Sequence, residues 1–398
     1  MRDRIVMTDP HTLVFAENLM LEFARSTGIE PKKGDQKRYL WTDAFAVCNF
    51  LTLFKRTGNR KYSDLAILLV DQVHQTLGKF RPDDYRSGWI SGLSEREGER
   101  HPTIGGLRIG KDLPERPNGQ PFDERLEWER DGQYFHYLTK WIHALSRVSH
   151  VTMDPRYRRW AIELALTAYA GFTDRSMKGR GKRMYWKMSV DLSRPLVLSM
   201  GQHDPLDGWV TGLELLSFPE AQADAYDGRK LSEAIADMAA MCRNVPLFTE
   251  DPLGIGGLLF DASRIAQLWM KDEKHRLKIN RTLEKVLGSS LDGLKILPGK
   301  GTLTLPAESR LAFRELGLSI GLSGMQNISG YLNTQPATSK DPLRDLNREI
   351  TGRTPIKDMI EQFWMDPRHQ KSASWNDHRW INQVMLATSL APDEFLSI

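Results

Sequence analysis

Apolar residues recur at helical spacing along almost the whole chain, and no other feature constrains the fold as strongly. Tyr62, Leu65 and Leu69 show the spacing of an amphipathic helix, and similar runs follow along most of the sequence. Strand-like alternation is nearly absent outside residues 184–200, which could hold a short β-hairpin. The pattern predicts about twelve helices, over residues 10–27, 42–57, 62–79, 132–149, 155–174, 207–217, 229–243, 256–271, 274–289, 307–325, 355–365 and 376–390, with a short extra helix over 341–350.

The connections between these helices tend to alternate between long and short. Strict alternation produces helical hairpins whose long loops gather on one face, and six such hairpins can close into a ring. A chain of 398 residues is too long for most single cores of ordinary shape, so it forms either two domains or one closed repetitive architecture. We therefore predict an all-α (α/α)6 toroid that forms one domain over residues 1–398. The long connections cover residues 28–41, 80–131, 173–206, 244–255, 290–306 and 366–375.

The connection over residues 80–131 is long enough to need its own explanation. Structureless loops longer than about 15 residues in compact proteins tend to be functional or disordered. Trp89, Ile90 and Trp128 are among several large apolar side chains in it, which indicates packing rather than disorder. We predict that it covers the cavity as a lid or wall. The alternative is an insertion with a structural role only.

Composition excludes several classes of function. A net charge of +4 over 398 residues gives no reason to expect nucleic acid or an acidic membrane surface as a partner. No apolar run approaches the roughly 18 residues of a membrane-spanning helix, and residues 1–10 lack the apolar segment of a secretory signal. Cys48 and Cys242 lie in apolar helical patterns, which is typical of reduced, buried thiols. We therefore expect a cytoplasmic protein.

In such a ring, each long connection leads into a helix that lines the inside, which we call an inner helix. Carboxylates cluster where the long connections meet these predicted inner helices. Asp204 and Asp207 lie three residues apart, and two carboxylates that close repel each other unless their roles differ or one is neutralised. Glu127 and Glu129 share one side of the chain with Asp131 if that segment is extended. One carboxylate could be a general acid and another could hold substrate hydroxyls. The catalytic candidates are Asp43, Glu127, Glu129, Asp204 and Asp207.

Each of these acids also has a structural explanation. Asp204 and Asp251 precede proline, the residue favoured in the first turn of a helix, so both fit N-caps. Asp207 fits an N-cap as well, and Asp43 and Asp377 fit first turns, where an acid interacts favourably with the helix dipole. Glu127 and its neighbours could also be a solvated acidic run that pairs with nearby arginines.

Aromatic, histidine and polar side chains accompany these acids at the helix starts. Sugars fit such a mixture, because aromatic rings stack on their C–H faces while polar side chains bind their hydroxyls. Tryptophan can equally fill a core, and the arginines can pair with the acids instead of holding an anionic substrate group. The candidate substrate-binding residues are Trp41, Asp131, Gln133, Tyr134, His136, His203, Trp209, Arg310, Trp375, Asp377 and His378.

Metal and nucleotide sites are not indicated. His136, His203 and His378 could relay protons or bind a metal, but the spacings around them match no recognised metal signature. The glycines at 105–106 and 254–257 lack the strand–turn–helix context of a phosphate-binding loop. We expect no metal and no cofactor.

The hairpin count, the loop alternation and the Trp/Asp/His-rich helix starts together resemble the six-hairpin glycosidase-like superfamily of (α/α)6 toroids. The resemblance covers nearly the whole chain at the level of architecture. It implies carbohydrate-active chemistry, although this fold serves several reactions. In epimerase-like members, histidines at the inner helix starts transfer protons, and His203 and His378 are the similar positions here. In hydrolase members a carboxylate pair acts, which corresponds to the catalytic candidates above.

These observations lead to one main hypothesis and three alternatives. The main hypothesis is a glycosidase that acts on a small or modified saccharide with a carboxylate pair. The first alternative is a sugar epimerase or isomerase in which His203 and His378 face each other. The second is a lyase that uses Tyr134 or His136 as a base against a uronate held by Arg310. The third is a sugar-binding protein without catalysis.

Overall fold

The structure is a computed structural model that describes residues 10–31, 36–174, 182–218, 225–243, 245–270, 276–336 and 341–398. Helices dominate these residues. The helices are α1 (Pro10–Ser26), α2 (Leu40–Thr57), α3 (Arg60–Leu77), α4 (Glu95–Arg100), α5 (Glu124–Glu129), α6 (Phe135–Thr152), α7 (Pro155–Phe172), α8 (Asp204–Leu216), α9 (Ala225–Cys242), α10 (Pro252–Trp269), α11 (Arg276–Ile296), α12 (Ala312–Ser323), α13 (Met325–Asn333), α14 (Pro342–Thr351), α15 (Pro355–Met365), α16 (Ala373–Asp377), α17 (Arg379–Leu390) and α18 (Asp393–Leu396).

Each helix predicted from the periodicity is present, and the bounds differ mostly by a few residues. The helix predicted over 307–325 ends at Ser323, and α13 follows directly after Gly324, a residue type that weakens helices. The helix predicted over 274–289 continues to Ile296, and the first part of that prediction lies outside the described residues. The short helices α4, α5, α16 and α18 were not predicted, because segments of four to six residues carry too little periodicity.

Within the described residues, four two-residue strands accompany the helices: β1 (Gln133–Tyr134), β2 (Thr173–Asp174), β3 (Arg183–Met184) and β4 (Lys187–Met188). β1 pairs antiparallel with β4, and β2 pairs antiparallel with β3. The predicted hairpin within 184–200 is confirmed over Lys187–Leu196, where Leu196 N–H donates to the Lys187 carbonyl at 3.0 Å. Through β1 this hairpin is attached to the start of α6.

The chain divides into two compact units, and each is described by itself. Unit 1 comprises Met1–Ser26, Cys48–Ser63 and Leu247–Ser397, and unit 2 comprises Thr27–Val47, Asp64–Pro246 and Ile398. In unit 1, α10 packs against α11 and α12, and α17 packs against α1 and α12. The α10 and α12 backbones approach closely at two glycines, because a β-carbon at Gly256 would lie 2.1 Å from the Gly317 carbonyl oxygen.

In unit 2, α6 packs against α7 and α8, and α8 packs against α9. Gly208 and Gly212 let α9 approach α8, because a β-carbon at Gly212 would lie 2.5 Å from Ile235 Cγ1. A cavity of about 20 Å³ lies among these helices, and its lining includes Phe135, Ala168 and Met238. It is apolar and large enough for about one water molecule, so it is not a sugar site. Of the two cysteines, Cys48 is buried but Cys242 is partly exposed.

The connection over 80–131 is packed, as its apolar residues predicted. Trp89, Ile90, Leu107 and Ile109 are buried, whereas Trp128 is exposed, so the packing prediction does not hold for that side chain. The connection is also bound to the hairpin over Lys187–Leu196: Glu115 accepts from Val190 N–H at 2.6 Å, and Arg116 donates to the Leu196 carbonyl at 2.8 Å. It is therefore a fixed part of unit 2.

Aspartate precedes proline at Asp9, Asp154, Asp204, Asp251, Asp341 and Asp366, a pair that predicts an N-cap, and the outcomes are mixed. Asp366 is the C-cap of α15, so its N-cap prediction was wrong. Asp154 and Asp341 cap α7 and α14, accepting from Arg156 N–H and Arg344 N–H respectively. Asp251 occupies the cap position of α10, but its side chain makes no cap hydrogen bond, and Asp204 lies inside α8. The cap interpretation was wrong for both of these side chains. Asp9 lies outside the described residues.

Within the ranges described above, none of the helices combines the length and the apolar character needed to span a bilayer.

Candidate active site

Each compact unit brings together the starts of three helices that the sequence predicted to share one face. In unit 2, Tyr39 before α2 contacts Tyr137 in α6, and His136 in α6 contacts Asp204 in α8. In unit 1, Arg314 of α12 pairs with Asp251 before α10 at 2.9 Å, and Phe313 contacts His378 before α17. The prediction that these helix starts converge therefore holds within each unit.

Asp204 and His136 form the central pair of the unit 2 site. Asp204 is the first residue of α8, and His136 is in the first turn of α6. Asp204 Oδ1 lies 3.6 Å from His136 Nδ1, which is an ion-pair contact rather than a hydrogen bond. The imidazole is 38% exposed and the carboxylate is 8% exposed. The pair therefore combines an enclosed carboxylate with a histidine that a ligand can reach.

The second oxygen of the Asp204 carboxylate is enclosed and unpartnered. Oδ2 is buried, and no donor among the described residues bonds to it. The carboxylate lies directly against Gly201, where a β-carbon would be 2.2 Å from Oδ2. Leaving a buried polar atom without a hydrogen bond costs about 1–3 kcal/mol, and such atoms in native proteins need an explanation. Glu127 Oε1 is also buried without a hydrogen bond, but it lies 2.9 Å from the Lys187 ammonium. Of the five predicted carboxylates, Asp204 is therefore the one with an enclosed oxygen that neither a hydrogen bond nor a cation satisfies.

Asp207 has a different role from its neighbour. Its Oδ2 accepts from Lys140 Nζ at 2.7 Å and from Thr139 Oγ1 at 2.5 Å, and both donors are in α6. The N-cap interpretation of Asp207 was wrong, since it is in the first turn of α8 and binds α6 instead. Lys140 neutralises its charge, so the two nearby carboxylates are separated by role. Asp207 joins two helices, while Asp204 carries the unpartnered oxygen.

A row of four rings leads from the surface to Asp204; we call Trp128, Trp186, Tyr134 and His136 the aromatic row. The ring centroids are 5.2 Å apart from Trp128 to Trp186, 5.2 Å from Trp186 to Tyr134 and 5.4 Å from Tyr134 to His136. The last two pairs are stacked nearly parallel. Tyr137 stands perpendicular to both Tyr134 and His136, with centroids 4.9 Å from each. The aromatic row and Tyr137 together form one continuous aromatic cluster on unit 2.

Three tyrosines, Tyr39, Tyr134 and Tyr137, lie together at the His136 end of the aromatic row. The hydroxyls of Tyr39 and Tyr137 are hydrogen-bonded at 2.7 Å. Burial raises the pKa of Tyr39 to about 12, although the bond to Tyr137 opposes this effect. Burial also raises the pKa of Tyr134, whose hydroxyl is enclosed and has no partner among the described residues. The phenols of Tyr39 and Tyr134 remain protonated at neutral pH, which makes Tyr134 a poor base for the predicted lyase reaction.

Asp43 is placed to stabilise the start of α2. Its Oδ2 accepts from Tyr39 N–H at 3.0 Å, and its Oδ1 lies 3.7 Å from Arg38 Nη1. A first-turn acid thus satisfies the backbone N–H of the residue that precedes the helix. Burial raises the pKa of Asp43 to about 6, and Arg38 opposes that shift. Trp41 is buried against Phe45, with ring centroids 4.6 Å apart.

The acidic segment before α6 does not have the extended form expected. Glu127 and Glu129 are in the short helix α5, so the prediction that they share one side with Asp131 was wrong. Glu127 is buried between Arg116 Nε at 2.8 Å and Lys187 Nζ at 2.9 Å. The structural alternative, pairing with basic side chains, therefore applies to Glu127. Glu129 is 68% exposed, and its carboxylate is 4.0 Å from the Lys111 ammonium.

Asp131 and Gln133 hold the long connection in place. Asp131 is fully buried, pairs with Arg108, and accepts from Gly110 N–H at 3.0 Å. Gln133 is also buried; it accepts from Leu107 N–H at 2.9 Å and donates to the Val190 carbonyl at 2.6 Å. Their polar groups are thus bound to backbone and side chains of unit 2, rather than placed to bind a substrate.

The remaining predicted residues are placed as follows. Arg310 is paired with Glu315, from Nη2 to Oε2 at 2.6 Å, so the acid-pairing alternative applies to it. Trp375 is buried and stacked on Trp364 at 5.6 Å, and Trp209 is buried, so neither tryptophan is an open platform. Asp377 is exposed at the end of α16 rather than in a first turn, which corrects that prediction.

The two histidines of the isomerase alternative lie in different units. His203 precedes α8 in unit 2, and His378 precedes α17 in unit 1. His203 is partly exposed and His378 is exposed. That they face each other remains a prediction.

Sequence reasoning missed four residues that shape the site: Gly201, Trp186, Lys187 and Lys140. Lys140 could have been found, because it is four residues after His136 and thus on the same helix face. Gly201, Trp186 and Lys187 come from the loop and hairpin before α8, and no periodic pattern connects them to α5 or α6. Over the described part of the chain, no group of three or more His, Cys, Asp and Glu side chains is arranged to hold a metal ion.

No protein-family model matches the sequence, and no curated protein matches it. Solved structures do match its fold. A GH76A α-1,6-mannanase from Salegentibacter sp. HEL1_6 has a TM-score of 0.54 and 12% identity, covering 97% of this chain and 100% of that chain. An inactive variant of that mannanase, with two aspartates replaced by alanine and in complex with α-1,6-mannotetrose, has a TM-score of 0.53 and 13% identity, over 97% and 99%.

Two further structures are similar. A GH76 α-mannanase from Bacteroides thetaiotaomicron has a TM-score of 0.53 and 8% identity, over 97% of both chains. A D-mannose isomerase has a TM-score of 0.50 and 11% identity, over 96% of this chain and 98% of that chain. The chain has the (α/α)6 toroid fold. This confirms the fold class and the resemblance to six-hairpin glycosidase-like enzymes that the sequence predicted. At these identities the likeness concerns the fold alone.

Proposed function

We propose that this chain is a carbohydrate-active enzyme, and specifically a glycosidase with Asp204 as its general acid. The observation that carries the proposal is the enclosed, unpartnered Oδ2 of Asp204 next to His136 and the aromatic row. The two mannanases with the same fold make mannosides the first substrates to test. We also keep, as proposals, a single domain over residues 1–398 and a connection over 80–131 that covers the cavity.

The chemistry follows from the requirements of glycoside hydrolysis. A carboxylic acid protonates the leaving oxygen, the glycosidic C–O bond breaks, and a second carboxylate activates water or attacks the sugar. In the proposed site Asp204 donates this proton. His136, whose Nδ1 lies 3.6 Å from Asp204 Oδ1, is positioned to contact the sugar. One water is consumed, and each cleavage creates one new reducing end.

Glu129 is our candidate for the second carboxylate. Of the five predicted acids it is the most accessible, while Asp43, Glu127 and Asp207 are each buried and paired with a basic side chain. Asp43 and Glu127, both in the original carboxylate set, therefore become structural residues in this proposal. Asp207 is a positioning residue that holds α8 against α6.

The test is direct incubation of the purified protein with α-1,6-linked mannose oligosaccharides and with aryl α-mannosides. We expect new reducing ends, and we expect Asp204→Asn to lower kcat/KM by about 100-fold or more, the contribution typical of a general acid. Asp83→Asn is the matched control, because Asp83 is an exposed carboxylate of the connection over 80–131 that pairs with Arg81 at 2.7 Å. A folded Asp204→Asn protein with full activity would overturn the assignment.

A second candidate function is a sugar isomerase or epimerase. A histidine whose Nδ1 faces a carboxylate is suited to carry a proton between sugar carbons, and His136 beside Asp204 provides that arrangement. A D-mannose isomerase shares the fold. Incubation with mannose separates the two reactions: conversion to a ketose or epimer without any cleavage of mannosides supports this candidate, and cleavage supports the glycosidase.

A further inference from the structure

We propose that Trp128 is a stacking platform for a sugar unit distant from Asp204, so that the preferred substrate is an oligosaccharide. This inference rests on the proposed function, and it deepens it by naming the size of the substrate. It also departs from the small saccharide expected from the sequence. Three features of the aromatic row support it: the exposure of its two ends, the fixed position of Trp128 and the length of the row.

The aromatic row is open at both ends, and between them Trp186 is partly exposed while Tyr134 is closed. Tyr134 is buried, and its ring is stacked between those of His136 and Trp186, so its faces are largely occupied. Trp128 is 51% exposed, and His136 is accessible at the other end beside Asp204. Apolar ring faces in water are the surfaces on which the C–H faces of sugars stack. The row thus has an open platform at one end and the proposed acid at the other.

Trp128 is held by buried charges rather than displayed on a loose loop. The Lys187 side chain is fully enclosed, and its ammonium donates to the carbonyls of Glu127 and Arg130, which flank Trp128 in the sequence. Glu127 in turn bonds to Arg116 Nε at 2.8 Å. Burial lowers the pKa of Lys187, and the Glu127 carboxylate opposes this shift.

Burying the charges of a lysine and a glutamate costs desolvation energy unless surrounding groups bind them, so a buried polar network of this kind calls for a functional explanation. Here the network fixes α5 and with it the exposed indole of Trp128. A tryptophan that contacted only water would not need to be held in one position. A platform fixed before binding loses less conformational freedom when a ligand stacks on it. The neighbouring ring of Trp186 is fixed too, because its Nε1–H donates to Ser199 Oγ at 2.9 Å.

The length of the row sets the size of the ligand. Three ring-to-ring steps of 5.2, 5.2 and 5.4 Å separate Trp128 from His136 along the row. A ligand that follows the row over these three steps is longer than a single pyranose ring. A saccharide that places one unit at Asp204 and another on Trp128 must therefore contain several units.

Calorimetric binding in the Asp204→Asn protein tests the inference without turnover. The probes are mannose and α-1,6-linked mannobiose, mannotriose and mannotetraose, with the β-1,4-linked glucose series as a second panel. We expect affinity to increase with chain length. Trp128→Ala should then weaken binding of the tri- and tetrasaccharide by about tenfold, a typical effect of one aromatic contact, and leave the monosaccharide unchanged. Trp128→Phe should restore part of the loss.

Phe122→Ala is the matched control, because Phe122 is similarly exposed on the same connection but lies outside the aromatic row. Melting temperatures of the variants check that the fold is retained. Affinity that does not depend on chain length, or a length dependence that Trp128→Ala leaves intact, overturns this inference while the proposed function stands. Failure of the Asp204→Asn protein to bind any member of either panel counts against the proposed function itself.

Discussion

Replacing Gly201 by alanine tests whether turnover depends on the position of the Asp204 carboxylate. A β-carbon at residue 201 would lie 2.2 Å from Asp204 Oδ2 and 2.4 Å from its Cγ, whereas ordinary contacts begin at 3.4 Å. The carboxylate or the loop must therefore move by about 1 Å, because real β-carbons do not approach other atoms this closely. A misplacement of about 1 Å near a reacting group can lower the rate about 100-fold. This corresponds to about 2.7 kcal/mol of transition-state stabilisation.

The assay is kcat/KM of Gly201→Ala on the substrate that the wild-type protein turns over. Gly257→Ala is the control, since a β-carbon there meets no atom within 4 Å, and we expect it to behave like the wild-type protein. A double variant with Asp204→Asn separates direct from indirect effects. If alanine acts only by displacing Asp204, the double variant should be no less active than Asp204→Asn alone.

Two results would refute this reasoning. Wild-type activity in a folded Gly201→Ala protein would mean that the position of the carboxylate does not control the reaction. An additional loss in the double variant, beyond that of Asp204→Asn, would mean that the alanine disturbs another part of the site. A melting temperature close to that of the wild-type protein excludes general unfolding as the cause of either result.

Two further predictions concern stability. Lys187→Met should destabilise unit 2 by about 1.5–3 kcal/mol, because the buried Glu127 carboxylate keeps Arg116 but loses its second cation, and the carbonyls of Glu127 and Arg130 lose a charged donor. Thermal unfolding measures this loss against Lys182→Met, an exposed control expected to cost about 1 kcal/mol or less. Equal melting temperatures for the two variants would contradict the prediction. Burial raises the pKa of Asp43 to about 6. Between the ordinary carboxyl pKa and about pH 6, the folded chain therefore binds more protons than the unfolded chain. The contribution of Asp43 to the free energy of unfolding falls as pH rises through this range. Asp43→Asn should remove a decline of up to about 1.4 kcal/mol per pH unit in this range, visible as a wild-type-minus-variant difference in melting temperature that changes with pH; a constant difference would argue against it.

The sequence by itself determined the helices and the fold class. Helix formation depends on residues three and four positions apart, so runs such as Tyr62, Leu65 and Leu69 predicted α3 without any knowledge of distant contacts. Local chemistry also sufficed for Asp154, whose side chain reaches the N–H of a residue two positions later. The alternation of connection lengths is likewise readable along the chain, and it led to the toroid.

Only the tertiary structure decided which acids are available for chemistry. Asp154 and Asp204 both precede proline, yet one caps its helix and the other has an enclosed oxygen beside Gly201 and His136. Glu127 and Glu129 are two residues apart, yet Lys187, sixty residues later, buries the first and leaves the second exposed. Charge, burial and hydrogen bonding depend on neighbours in space, which come from distant segments. For that reason the sequence identified the candidates, and the packing of α5, α6 and α8 assigned their roles.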